Sequence, residues 1–396
     1  MQKEKLVPAI RFKGFEEEWN ISKLCEAALK FDNLRVPVAE SLRIKGVFPY
    51  YGANGVQDYV SGFTHNGEFV LIAEDGANDL DSYPSNYVNG KFWANNHVHV
   101  LQGIKGIIDN KFLNHSFKNI DFKPILTGGD RAKLTASALD TINIKVPIFD
   151  EQQKIGWFLS NLDSLIHSQE LKVEKLQSMK QSLLDKMFIK NNQHMPNVRF
   201  NSYYENWYYA NIQECSKVFI GLVTTMTTNY SKHGVLLIRN SDIKDGRFEF
   251  DENPIHLEWS FAMRNKSRMH MEGDVVTVHT GDVGTSAVVS EKEAKSIGFA
   301  TIVTRPDKNK LDSSFLSVFL NTETHKKWAV QISTGDGRTN YNLGDYKLLN
   351  IPMTNLSEQQ KIGQFFSNLD SLIHSQEQKL EKLNNIKQAL LEKMFC

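Results

Sequence analysis

Cysteine is scarce. The 396 residues hold only Cys25, Cys215 and Cys396, far apart and none in a C-x-x-C pair, which excludes a zinc knuckle and a disulfide framework. No run of about 18 apolar residues occurs, so no membrane helix is expected. The opening MQKEKLVPAIRF has no apolar signal core, and the expectation is a cytoplasmic protein. Net charge is also missing: 46 basic groups meet 46 acidic ones. The balance is local, with 17 and 18 in residues 1–150, 19 and 18 in residues 189–357, and 5 and 5 in each remaining segment. A nucleic-acid binder usually carries a basic footprint, so such a role here requires basic groups gathered on one face or supplied by a partner.

Catalytic motifs are absent as well. A phosphate-binding loop needs G-x-x-x-x-G-K-[ST]; the nearest match, at Gly90-Lys91, has Ser85 and Phe92 at two required positions. There is no H-E-x-x-H. The N/D-P-P-Y/F signature of amino-methyltransferases needs a Pro-Pro pair, and none exists; Asn253-Pro254-Ile255-His256 is a poor imitation. His97 and His99 alternate on an expected strand and so share a face. Without nearby Cys or Glu in sequence they read as groove lining rather than metal ligands. No catalytic residue and no metal site is expected.

What the chain does have is a repeat. Residues 151–188 and 358–395 differ at nine of 38 positions, at a constant offset of 207. Neither copy contains Gly or Pro after Gly156 or Gly363, and long side chains recur with 4,3 spacing. The seams run through Leu162, Ile166, Gln169, Val173, Leu176, Lys180, Leu183 and Met187, and through Leu369, Ile373, Gln376, Leu380, Leu383, Lys387, Leu390 and Met394. This pattern predicts two helices of roughly 57 Å that pair as a coiled coil. The alternative, two unrelated amphipathic helices, does not need identical surface residues such as SNLDSLIHSQE. Asp150 with Gln153, and Ser357 with Gln360, fit capping boxes at the two starts. A weaker repeat leads each half: PAIRF at 8–12 with Trp19, and PNVRF at 196–200 with Trp207.

Between these constant parts lie two unlike blocks, about 21–147 and 209–352. The first has strand patterns at 67–73 and 97–101, and a Gly-rich aromatic turn at 50–55. The second has strand patterns at 235–239, 273–278 and 287–289, a turn at 280–284 and a helix near 313–321. The expected fold class is α+β, each block built on a curved, antiparallel or mixed sheet.

This plan resembles the specificity subunit of Type I restriction-modification systems over the whole chain. The EQQKIG helix repeats look like that family's conserved regions. FPYYGANGVQDYV and GKFWANNHVHVL resemble segments of one class of its target recognition domains; IRNSDI with GDVVTVHTGDVGTSAVV resembles another class. The resemblance implies two mixed α/β target recognition domains separated by two long antiparallel coiled-coil helices with pseudo-twofold symmetry: residues 1–150, 151–190, 191–357 and 358–396 in turn. It implies a non-catalytic reader of double-stranded DNA with a bipartite site. Two methyltransferase subunits using S-adenosylmethionine, and motor-nuclease subunits using ATP and magnesium, are the implied partners, so cofactors belong to them.

Base reading needs matched donors and acceptors, and phosphate anchoring needs cations, hydroxyls and amides. The candidates in the first block are Arg35, Arg43, Tyr50, Tyr51, Asn54, Lys91, Trp93, Asn95, Asn96, His97, Arg131 and Lys133. Those in the second are Thr224, Thr225, Arg239, Asn240, Ser241, Lys244, Thr280, Asp282, Thr285, Arg338, Asn340, Tyr341 and Asn342. TGGDR at 127–131 aligns with TGDGR at 334–338 at the same offset of 207, which suggests a shared phosphate contact through Arg131 and Arg338. Two other classes remain open on sequence: a coiled-coil scaffold joining two protein-binding modules without touching DNA, and an enzyme with an unrecognised site.

Overall fold

The computed structural model describes residues 5–129, 132–190, 193–224, 227–333 and 340–396. Both repeats are helical, over Phe149–Met187 and Leu356–Met394. The seam positions are the buried or half-buried ones along each helix, and the positions around them are mostly exposed. The chain divides into two compact units, residues 1–170 with 378–396 and residues 171–377. Each unit therefore takes part of both long helices, a division that the linear order of lead, block and helix does not announce.

Within the first unit, Asp163 on one long helix pairs with Lys387 on the other at 2.7 Å. Leu391 and Met394 of the second helix enter the core with Ile155 and Leu159 of the first. Within the second unit, Lys180 pairs with Asp370 at 2.5 Å, and Leu184 and Met187 share a core with Leu369 and Ile373. The two ion pairs use the same two repeat positions. In the second unit Gln177 also donates to Glu377; with Lys180–Asp370, one sequence rises as the other falls, so the paired segments are antiparallel there.

The helix starts differ from the capping boxes expected at Asp150 and Ser357. The helices begin two residues earlier, and Asn355 is the side chain that accepts the Glu358 amide, at 2.9 Å. The glutamines of EQQKIG are occupied elsewhere. Gln152 accepts from the Asp109 amide and donates to the carbonyls of Ile107 and Pro147. Gln359 accepts from the Asp312 amide and donates to Lys310 and Thr354. Asp109 and Asp312 in turn cap short helices, Asn110–Phe117 and Ser313–Leu320, each accepting an amide three residues on. Each motif thus binds its block's short helix to the start of a long one. The motif's glycine permits the approach: a Cβ on Gly156 would lie 2.7 Å from the Phe112 nitrogen, and one on Gly363 would lie 2.7 Å from the Ser314 Cβ.

The lead repeats complete this mount. Arg11 makes a two-pronged bond to Glu151 at 2.7 and 2.8 Å, and Arg199 makes the same bond to Glu358. Both carboxylates are fully buried, so the guanidinium is what makes each charge tolerable there. Trp19 packs on Phe395 and Phe112, and Trp207 on Phe188 and Phe315. A two-stranded ribbon closes each mount, Asn20–Lys23 with Asn143–Val146 and Tyr208–Asn211 with Asn350–Met353.

The blocks diverge above the mounts. The first carries a six-stranded sheet in the order Ala28–Lys30, Val98–Gly103, His65–Ala73, Ser85–Ala94, Lys45–Gly52, Gly55–Val60, antiparallel except where Lys45–Gly52 meets Ser85–Ala94. The second has an antiparallel sheet in the order Ser216–Ile220, Thr301–Pro306, Val275–Val278, Ser286–Val288. A smaller sheet combines Tyr230–Ser231, His256–Leu257, Val235–Ile238 and Ile297–Gly298. The mixed sheets and the helix near 313 agree with the sequence pattern; the helices Asn110–Phe117 and Glu323–Ile332 had no periodic run long enough to announce them.

Candidate nucleic-acid interfaces

The residues that follow the two TG-x-x-R sequences make matching backbone bonds. In the first unit the strand His65–Ala73 runs on into Glu74-Asp75-Gly76. There the Leu134 amide donates to the Glu74 carbonyl at 2.7 Å, and Asp75 forms a bridge with Lys133. In the second unit the strand Val275–Val278 runs on into His279-Thr280-Gly281. The Tyr341 amide donates to the His279 carbonyl at 2.9 Å, and Thr280 bridges Asn340. Leu134 with Tyr341, and Lys133 with Asn340, keep the offset of 207. Thr135 then accepts the Ala138 amide at the start of the short helix Ala136–Asp140, and Asn342 stands at the same position before the short helix Leu343–Tyr346. Arg131, Arg338 and Thr225 lie outside the described residues.

In the first unit this end of the sheet is a charged network. Arg35 donates to Glu74 at 2.6 Å and to the Val98 carbonyl at 2.6 Å, and Lys133 pairs with the other Glu74 oxygen at 2.9 Å. His99 places Nδ1 2.6 Å from Asp32 and Nε2 2.8 Å from the Leu134 carbonyl. Burial alone would raise both carboxyls. Hydrogen bonds from His99 and the Val100 amide hold Asp32 below its ordinary value, and those from Lys133 and Arg35 do so for Glu74. Ligand atoms of Asp32, Glu74 and His99 lie within 4.8 Å of one another, but Arg35 and Lys133 already supply the countercharge. His97 pairs with Asp75, and its backbone amide donates to Asn95 Oδ1 at 2.8 Å. Asn54 links the same region, donating to the Gly76 carbonyl and accepting from the Asn78 amide. Asn96 is exposed in the turn before His97.

Four other candidates gather further along the sheet. Arg43 stacks 4.2 Å above the Tyr50 ring, whose hydroxyl is tied to the Val38 backbone. Trp93 donates its indole proton to the Val36 carbonyl at 2.7 Å. Lys91 lies over Phe48 and Phe63. Arg43, Tyr50 and Trp93 help line a cavity of about 170 Å³. Leu42, Ile44 and Val47 around it are strongly exposed, an apolar rim that a search for donors and acceptors passes over. Tyr51 is half-buried, edge-on to Phe92. Tyr50 and Asn95 are buried.

In the second unit the corresponding end is neutral. Asn240 donates to the Ala300 carbonyl at 3.3 Å and accepts the His279 amide at 2.9 Å. The Thr280 hydroxyl donates to Asn340 Oδ1 at 3.0 Å. Leu222, two residues before Thr224, bridges Phe299. Segments around Leu222, Asn240, His279, Phe299 and Asn340 thus converge, and Asn240, Thr280 and Asn340 are brought together, while Thr224 is exposed two residues beyond Leu222. Ser241 and Lys244 are exposed nearby in sequence. Arg239 is held by Asp242 and Asp251, whose bonds raise its pKa. Thr285 is buried and donates to Asp282 at 2.7 Å.

Tyr341 is fully buried and packs against His325, Trp328 and Tyr346. His325 Nδ1 faces the Leu320 carbonyl at 2.6 Å, which can only accept. Nδ1 therefore carries the proton, and Tyr341 donates to Nε2 at 3.3 Å. Burial pushes His325 down to about 4.

No helix among the described residues is long and apolar enough to cross a membrane. Residues 16–177 and 207–385 match the family model described as "Type I restriction modification DNA specificity domain". A putative type I restriction enzyme specificity subunit of Haemophilus influenzae is 50% identical over 38% of this chain and 39% of its own length. The chain thus spans well under half of that relative. The MjaVIII specificity subunit of Methanocaldococcus jannaschii is 18% identical over 95% of this chain and 91% of its own. A Type I restriction-modification S subunit from M. genitalium shares the fold, with a TM-score of 0.71 at 13% identity, covering 99% of both chains.

Proposed function

Since this chain belongs to the Type I restriction-modification DNA specificity family, we propose that each of its two units reads one half of a bipartite duplex site. The chain performs no chemistry itself. Two methyltransferase subunits carrying S-adenosylmethionine dock on it and modify an adenine in each half-site, and motor-nuclease subunits join with ATP and magnesium to cut unmodified DNA in the cytoplasm. One observation supports this above the others: two mounts of the same design, and matching backbone bonds at Lys133-Leu134 and Asn340-Tyr341, present different side chains. A scaffold needs no such pairing of constant base and variable tip, whereas a reader of two unlike half-sites does, because base edges are read by side chains.

Methylome sequencing of the host with and without the gene tests the proposal. The expected result is loss of one split adenine-methylated motif. An unchanged methylome, together with no gel shift of host DNA by the chain loaded with its methyltransferase partner, contradicts it and leaves the scaffold.

A further inference from the structure

We propose that Phe299 is a base-reading residue of the second unit, one that contacts a thymine methyl group in the major groove; this rests on the DNA-reading role just described. Phe299 lies in the cluster around Asn240, and nothing in its strand-like sequence marks it out. Its amide donates to the Ile238 carbonyl at 2.8 Å, and the next amide, of Ala300, donates to Leu222 at 2.7 Å. Asn240 clamps the Ala300 carbonyl. Ala300 itself has φ +47°, a left-handed backbone that a non-glycine residue adopts only where its surroundings hold it. The turn is therefore braced from three sides, and its aromatic ring is presented from a fixed base.

The polar groups around it are largely spent. Both ends of the Asn240 amide are bonded within the unit, and the Thr280 hydroxyl is given to Asn340. Two exposed side chains at the Leu222–Phe299 bridge are apolar: Phe299, 38% exposed, and Val223, 63% exposed and one residue beyond the bridge. The apolar feature that a base pair displays in the major groove is the thymine C5 methyl. The exposure decides between the two ways an aromatic side chain meets DNA. A wedge that unstacks a base step must free most of its ring, and more than half of Phe299 is covered. A methyl contact needs only the exposed part.

The test uses the full chain loaded with its methyltransferase partner, at fixed salt, on a duplex carrying the host's own motif. Every thymine is replaced in turn by uracil, which removes only the methyl; a half-site with a methylatable adenine always contains one. Wild type should lose about fourfold in affinity at one position, the value of one buried methyl-sized group. Phe299→Ala should bind about fourfold more weakly and be indifferent to that replacement, while Phe299→Leu should retain most of the sensitivity. A wild type indifferent to every uracil overturns the inference, as does a Phe299→Ala protein that responds as wild type does. Failure of the loaded wild type to bind the motif at all removes the DNA-reading role itself, and the inference with it.

Discussion

At the end of the sheet in residues 1–170 with 378–396, Glu74 is clasped by Arg35 and Lys133 while Asp32 holds His99. At the equivalent place in residues 171–377 the positions of Glu74, Asp75 and Lys133 are taken by His279, Thr280 and Asn340, and the bonds are between neutral groups. Below these ends the two units use the same atoms: Arg with Glu, Gln with a helix-capping Asp, Gly against a short helix. The backbone frame tolerates a complete change of charge at the tip because it is held by amide and carbonyl groups and by the mount, not by the tip residues. A change of specificity can then leave the fold intact.

The sharpest asymmetry within the mounts is at the buried glutamates. Glu358 accepts from Arg199, from Trp207 at 3.2 Å and from Thr354. Glu151 takes both prongs of Arg11, and Trp19 Nε1 is without a partner among the described residues. Glu358→Ala should destabilise its unit by about 3–5 kcal/mol, as expected when one member of a buried pair is removed, and Glu151→Ala should cost measurably less. Calorimetric or urea unfolding of both variants checks this; equal costs would mean that the extra bonds of Glu358 contribute nothing net.

Acid separates the units next. An unfolded histidine takes its proton near pH 6.5, but burial holds His270 and His325 in the second unit, and His115 in the first, down to about 4. The unfolded chain thus binds more protons between those values, so stability present at pH 7 is lost as pH falls from about 6.5 to 4, by up to about 3 kcal/mol per histidine. Two such groups against one predict that the second unit loosens first. The lowered Asp32 and Glu74 carboxyls yield only at still lower pH. Hydrogen exchange at pH 7 and 4.5, corrected for intrinsic rates, should show protection lost around residues 315–332 before residues 65–73. The reverse order would contradict these assignments.

The smallest expected effect lies at the tips. Lys133 is about half exposed beyond its bond to Glu74. If it also holds a phosphate, Lys133→Ala lowers the salt dependence of DNA binding by about one unit of slope. Asn340→Ala, at the equivalent neutral position, should leave the slope unchanged. Identical slopes for both variants would remove the electrostatic distinction between the two ends.

The long helices, the lead repeats and the equivalence of Lys133-Leu134 with Asn340-Tyr341 were legible because each occurs twice at a fixed offset. The helix starts were misplaced by two residues because Gln152 and Gln359 bond to short helices some forty residues away in sequence, which no local capping pattern reveals. The tips were legible only in part. Arg35 and Arg239 have the chemistry of base readers, yet their carboxylate partners at Glu74 and Asp251 come from other turns. Tyr341 follows a Gly-rich turn but points inward onto His325. Phe299, inside GFATIV, has the pattern of a core strand yet is partly exposed, next to the left-handed Ala300.

The direct test of the central claim is to exchange residues 209–352 for the corresponding block of another such chain, keeping both lead repeats and both long helices, and to map methylated adenines in the host. The account predicts that one half of the split motif changes while the other half is retained. A motif altered in both halves, or in neither, would contradict two independent readers on mounts of one design.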